Sequence, residues 1–311
     1  MESVIVTGGT GFLGRNMIRY LCNKGYKVYA VVRPDSKNSS YLPKHENVHP
    51  VYCNLSDIHE NKALNGRSYD AFYHFAWGGV NRDQIDNEVV QQHSMEESLK
   101  ALESAMMLNC GCFIFSGSRS EYGLLKGKFR EDMECRPQVA YGRKKLEFGS
   151  RARQLCKDAD MQYIHARIFS VYGADDHPWS LIYTAITKMM KNEPMDLSAC
   201  TQLWNFMDVR DMADLFLTFQ KEKKRIPADN NCVFNVATDD IRPLREFVEE
   251  IYRITGSKSE LRFGSFHQAA ESAMSILPDM TKVEETFGWK QRIPFSEGIQ
   301  EVIRGAGQHE A

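Results

Sequence analysis

Short apolar runs alternate with stretches of helical periodicity through the first half of the chain, beginning with Val4-Ile5-Val6 and the helical pattern of Met17, Ile18, Tyr20 and Leu21. Continuous apolar runs of strand length, separated by amphipathic stretches, are the signature of a doubly wound α/β sheet with parallel strands. The pattern predicts strands at 3–7, 27–32, 48–53, 71–75, 112–116 and 162–168. Amphipathic stretches lie between them, the longest at 87–108, and another long helix is expected from Ala140 to Cys156. After Gly173 the pattern changes to loops, a helix around Leu181–Lys191, a Trp-bearing strand near 203–207 and a late helix from Leu244 to Thr255. This predicts a large lobe over 1–172 and a smaller interleaved lobe over 173–311, with returns to the large lobe near 208–220 and 233–237.

Between the first strand and the first helix stands Thr7-Gly8-Gly9-Thr10-Gly11-Phe12-Leu13-Gly14. Strand, glycine turn and helix N-terminus together hold a dinucleotide pyrophosphate. Gly8 suits the sharp turn, Gly11 a close approach to phosphates, and Gly14 tight helix–strand packing. The positive end of the helix dipole then faces the anion. The Gly-x-x-Gly-x-x-Gly spacing is one residue longer than the dehydrogenase fingerprint, so other residues must arbitrate.

Two further motifs do so. Tyr141 and Lys145 are four residues apart in a helical segment, so both side chains share one face. An ammonium there favours the ionised phenol by charge proximity and can reach a cofactor ribose. Phe113-Ile114-Phe115 reads as a buried strand ending in Ser116-Gly117-Ser118, which puts hydroxyls at the carboxyl end where an open parallel sheet binds its ligand.

With these motifs in place the chain resembles the extended short-chain dehydrogenase/reductase family, the group of sugar-nucleotide epimerases, dehydratases and ketoreductases. The resemblance also rests on His74-Phe75-Ala76, Tyr122-Gly123, Arg167 to Gly173, Trp204 to Asp211, Phe234-Asn235-Val236 and Phe287-Gly288-Trp289. It implies a Rossmann sheet with a substrate lobe, and Ser118, Tyr141 and Lys145 as the catalytic residues. Cofactor contacts are implied at Gly8, Thr10, Gly11, Phe12, Leu13, Gly14, Asn54, Leu55, Phe75, Ala76 and Trp77, and again at Tyr141 and Lys145. Substrate contacts are implied at Ser118, Arg119, Ser170 and Trp204, the substrate being a nucleotide sugar. The two long helices, Glu88 to Met107 and Ala140 to Cys156, are those that pair two subunits of this family in a four-helix bundle, so a homodimer is expected.

NAD enzymes usually end the second strand with an acid that accepts from the ribose 2′-hydroxyl. Here Val32 stands in that place and Arg33 follows. Without the carboxylate a 2′-phosphate is not repelled, and Arg33 can pair with it. The expected cofactor is therefore NADP(H), with NAD as the alternative. Asn54 takes the place where the family often has an adenine-contacting Asp.

Departures from the family pattern narrow the reaction. Sugar-nucleotide 4,6-dehydratases carry Asp-Glu after the Ser or Thr; Arg119 and Ser120 stand here, which disfavours dehydration. Trp204 replaces a frequent phosphate-clamping Arg and offers stacking or core packing instead, and Ser170 replaces a frequent Asn. The expected activity is an NADPH-dependent ketoreductase of a nucleoside-diphosphate 4-keto-6-deoxysugar, with Tyr141 as general acid. The alternative is a UDP-hexose type 4-epimerase using bound NAD.

Composition sets bounds on partners. The 311 residues are 42% hydrophobic and 26% charged, with 39 basic against 41 acidic residues. That balance gives no general attraction to nucleic acid or anionic membrane. Met1-Glu2-Ser3 carries no basic leader region and no apolar stretch has the length of a membrane span, so a cytoplasmic protein is expected. The eight cysteines show no paired metal spacing, Cys110-Gly111-Cys112 having one intervening residue, and read as reduced, mostly buried thiols.

Overall fold

The structure is a computed structural model that describes residues 2–124, 127–226, 232–265 and 274–309. Seven strands form one sheet: β1 (Ser3–Thr7), β2 (Lys27–Val32), β3 (Val48–Tyr52), β4 (Ala71–His74), β5 (Cys112–Ser118), β6 (Gln162–Ile168) and β7 (Val233–Val236). All pairings are parallel and the spatial order is 3-2-1-4-5-6-7. The direction of winding reverses between β1 and β4, and a crevice opens outside the carboxyl ends there.

The apolar runs become strands because both faces are covered. Every residue of β5 from Cys112 to Gly117 is buried, and α3 (Ala140–Asp158) and α5 (Val209–Lys221) both pack against it. Helix α1 (Phe12–Asn23) packs beside α5, and α2 (Glu88–Met107) beside α3. A strand buried on both sides cannot alternate with polar residues, so it reads as an unbroken hydrophobic run. Phe72, Phe113, Phe115 and Phe148 are buried here, with Phe115 and Phe148 ring centres 4.3 Å apart.

A second hydrophobic cluster joins α4 (Leu181–Met190), α6 (Leu244–Thr255) and α7 (Phe295–His309) around Phe206, Phe247 and Phe295. The Trp-bearing strand expected near 203–207 is two short ones, Leu203–Trp204 and Met207–Asp208. They pair with different partners, Arg242–Pro243 and Val171–Tyr172, so the segment breaks between them. Trp204 packs against both hydrophobic clusters.

Several motifs anchor the fold. Asn235 accepts from the Tyr122 hydroxyl at 2.7 Å and donates to the carbonyls of Phe129 and Asp279 at 2.7 and 3.0 Å. Asp214 accepts from Tyr20 at 2.5 Å and from the Trp289 indole at 2.9 Å. All eight cysteines are free thiols, Cys135 half-buried and the others buried. Among the described residues no helix is long and apolar enough to cross a membrane, and no cluster of His, Cys, Asp and Glu could hold a metal.

Candidate active site

The carboxyl ends of β1, β4 and β5 open into two adjoining cavities of about 480 and 390 Å³, which share Gly8, Gly11, Phe75 and Trp77 as walls. The glycine loop builds their floor. Gly8 has φ +71°, and a Cβ on Gly14 would stand 2.2 Å from the Gly8 carbonyl oxygen, so helix and turn pack as closely as glycine allows. Helix α1 starts after Gly11 with no side-chain cap and no acid in its first turn. Its first N–H groups are left for an anion, and the residues present fit a dinucleotide pyrophosphate.

The larger cavity holds Thr10, Arg33, Asn54, Leu55 and Ala76 of the expected cofactor residues. Arg33 is exposed at the end of β2 and makes no ion pair among the described residues. Asp35, which the sequence reading passed over, lines the same cavity two residues on.

The smaller cavity brings Ser118, Tyr141 and Lys145 together with Phe12, Leu13 and Gly14. Tyr141 is placed by a loop rather than by a helix cap: Ile85 O accepts its N–H at 3.0 Å, and Asp86 Oδ1 accepts that of Ala140 at 2.8 Å. Lys145 is buried, its Nζ 5.1 Å from the centre of the Tyr141 ring and 4.9 Å from the Trp77 ring, and it donates to Ser116 O. Trp77 meets Tyr141 edge-on at 6.2 Å and donates its indole N–H to Gln91 Oε1 at 2.8 Å. Ser118 Oγ accepts the N–H of Ser120 at 3.1 Å.

A third cavity of about 370 Å³ adjoins the chain at Arg119 and Ser120 and is also lined by Gln138, Trp204 and Ile276. The Arg119 guanidinium lies 5.6 Å from the Trp204 ring centre. It reaches open space yet is walled on most sides, and this desolvation lowers its pKa, with Tyr141 opposing. It has no carboxylate partner among the described residues. The Trp204 indole nitrogen is buried without a partner among them. Ser170 lines none of these cavities; its carbonyl accepts the N–H of Met207 at 2.9 Å, which joins two short strands.

The structure also supplies groups the sequence reading did not single out. Asp176 and His177 line the smaller cavity, and burial raises the Asp176 pKa. Their loop is tied to α1, where Arg15 donates to Asp175 O at 2.9 Å and Asn16 to Ala174 O at 3.0 Å. Glu121 is buried beneath Ser118 and bonds His165 and Arg167. Its signal was legible as Ser118-x-x-Glu121, a capping box.

A family model described as "NAD dependent epimerase/dehydratase family" matches residues 4–237. A CDP-abequose synthase of Salmonella muenchen is 23% identical over 97% of this chain and 97% of its own length. A dTDP-6-deoxy-L-talose 4-dehydrogenase (NAD(+)) of Aggregatibacter actinomycetemcomitans is 25% identical over 88% of this chain and 98% of its own. Among solved structures, the UDP-glucose 4-epimerase of Thermotoga maritima, determined with UDP-glucose, superposes with a TM-score of 0.85 at 20% identity, covering 99% of this chain and 100% of that one.

Proposed function

The chain belongs to the NAD dependent epimerase/dehydratase family of extended short-chain dehydrogenase/reductases, and on that premise we propose that it is an NADPH-dependent ketoreductase of a nucleoside-diphosphate 4-keto-6-deoxysugar. When bound, the nicotinamide supplies the hydride that reduces the substrate carbonyl. Tyr141 gives a proton to the carbonyl oxygen as it becomes an alkoxide, a positioned transfer worth about a hundred- to ten-thousandfold. Ser118 donates a hydrogen bond from its hydroxyl to the same oxygen and keeps its proton, since Ser120 already occupies an acceptor site on Oγ. Lys145 stands beside the phenol ring and is the group to hold a ribose hydroxyl.

The observation that carries reduction over the family's other reactions is Arg33, a guanidinium in the larger cavity with no ion pair among the described residues and with Val32 where an acid would be. A 2′-phosphate matches it, and a reductase that exchanges its cofactor draws on NADPH. Arg119 and Ser120 disfavour dehydration, which the family drives with Asp-Glu. The Aggregatibacter relative is named for a dTDP-linked 6-deoxysugar, in keeping with this substrate class, and for NAD(+) as its cofactor. We assign Arg119 and Trp204 to the nucleotide-sugar side of the cleft.

The second reading, an epimerase with bound NAD, is favoured by Asp35, a carboxylate in the same cavity that could accept from a ribose 2′-hydroxyl. We further propose a homodimer through α2 and α3, where Val89, Met107 and Leu155 are exposed. Purified protein mixed with NADPH and a panel of dTDP-, CDP-, GDP- and UDP-linked 4-keto-6-deoxysugars tests the leading reading by loss of reduced-nicotinamide absorbance. Turnover with at least one is expected; silence across the panel contradicts it.

A further inference from the structure

We propose that Glu121, with His165 and Arg167, is a positioning unit that fixes the backbone of Ser118 and thereby aims its hydroxyl proton into the catalytic cavity. The Glu121 carboxylate is completely buried and accepts three hydrogen bonds: from Ser118 N–H at 2.8 Å, His165 Nε2 at 2.9 Å and Arg167 Nε at 2.9 Å. His165 and Arg167 hold the carboxyl down to about 2 against the opposing effect of burial. Burial lowers the pKa of His165 while Glu121 raises it, and its Nε2 carries a proton toward the Glu121 carboxylate. Its Nδ1 pairs with the Tyr163 hydroxyl at 3.0 Å, which holds the ring's orientation.

The chain makes room for this unit at a cost. A Cβ on Gly117 would stand 2.4 Å from His165 Nε2 and 2.7 Å from Glu121 Oε1, and one on Gly149 would stand 2.3 Å from His165 Nδ1. Gly149 lies inside α3, the helix that carries Tyr141 and Lys145, where glycine is disfavoured unless something must approach closely. The imidazole therefore packs between β5 and α3, the elements that carry the three catalytic residues.

The consequence falls on Ser118. Its N–H is taken by Glu121 and its Oγ accepts from Ser120 N–H, so the hydroxyl proton is the one donor of this residue left for a substrate. Glu121 acts through Ser118 and touches no substrate itself. The proposal rests on the assignment of Ser118 as a carbonyl donor, and it holds for a reductase and an epimerase alike.

The test uses Glu121→Gln and the charge-neutral double variant Glu121→Gln/Arg167→Met, each alone and combined with Ser118→Ala. An amide has one acceptor oxygen, so it cannot hold Ser118, His165 and Arg167 at once. With whichever substrate the wild type turns over, kcat should fall about 10- to 100-fold in both Glu121 variants, with KM and cofactor affinity within about twofold. Adding Ser118→Ala should cost nothing more than Ser118→Ala alone. Amide exchange of the 117–121 segment, which needs no turnover, should quicken in the folded variants. If the losses multiply, or if the folded double variant keeps wild-type kcat and exchange, the proposal is overturned. Absence of wild-type turnover on every substrate would instead count against the enzymatic reading, and the exchange result would still decide the positioning role.

Discussion

The ammonium of Lys145 stands 5.1 Å from the centre of the Tyr141 ring while bonding the carbonyl of Ser116, the residue two before Ser118. Helix α3 and strand β5 are thus joined at the point where Ser118, Tyr141 and Lys145 share one cavity. Tyr141→Phe removes the proposed proton donor and leaves the ring, its contact with Trp77 and the lysine in place. Turnover should drop about a hundred- to ten-thousandfold while calorimetric affinity for the cofactor is retained. Activity near wild type would mean that another acid gives the proton.

Arg33 and Asp35 line the same cavity, and their opposite charges favour different cofactors there. Arg33→Ala should weaken NADP(H) about tenfold or more and leave NAD(H) unchanged, since only the 2′-phosphate needs the guanidinium. Equal affinity of the wild type for the two cofactors, measured by calorimetry, would remove the basis for the NADPH assignment.

Trp204 lines the third cavity and also packs against both hydrophobic clusters. Trp204→Phe keeps most of the buried ring surface, so the melting temperature should fall by only a few degrees. Substrate KM should rise severalfold, and Arg119→Ala should raise it further with a weakened dependence on salt. A large loss of stability with unaltered KM would make Trp204 a packing residue alone.

Much of the fold was legible in the residues. Six of the sheet's strands lie where the apolar pattern predicts them, and Leu244–Thr255 matches its expected helix end for end. That Ser118, Tyr141 and Lys145 come together follows from the fixed offset of each on a regular element. Other features depend on distant chain segments. Glu121 meets His165 across 44 positions, and the space for them comes from Gly117 and Gly149, whose meaning appears only once β5 and α3 pack. Asp35 lies in a loop beyond β2, where no period reports which side chains face the cleft. Ser170 was chosen by its place in a motif, and the structure gives its carbonyl to strand pairing.

Buried histidines should make the protein sensitive to acid. His74 Nε2 donates to Ser98 Oγ at 2.9 Å, because that hydroxyl donates to Ser94 O, and Nδ1 accepts from Thr7 at 2.8 Å. Burial, with the Lys145 charge adding, pushes its pKa from 6.5 down to about 3. Between these values the unfolded chain binds a proton that the folded one refuses, so this stability is present above pH 6.5 and is lost as pH falls toward 3. Glu121 adds a second loss from about 4.5 down to about 2. In urea titrations, His74→Gln should reduce the slope of unfolding free energy against pH by up to about 1.4 kcal/mol per unit below pH 6. An unchanged slope would mean that His74 is not a refused proton site.

The most direct measurement follows cofactor and sugar together in one reaction. A ketoreductase consumes one reduced cofactor for each sugar product, whereas an epimerase regenerates its cofactor within each cycle. With a nucleoside-diphosphate 4-keto-6-deoxysugar and NADPH deuterated at the transferable position, the account predicts one NADPH oxidised per product and deuterium on the product's sugar carbon. Interconversion of UDP-hexoses by the same preparation, with no net change in cofactor absorbance and no label entering the sugar, would contradict it.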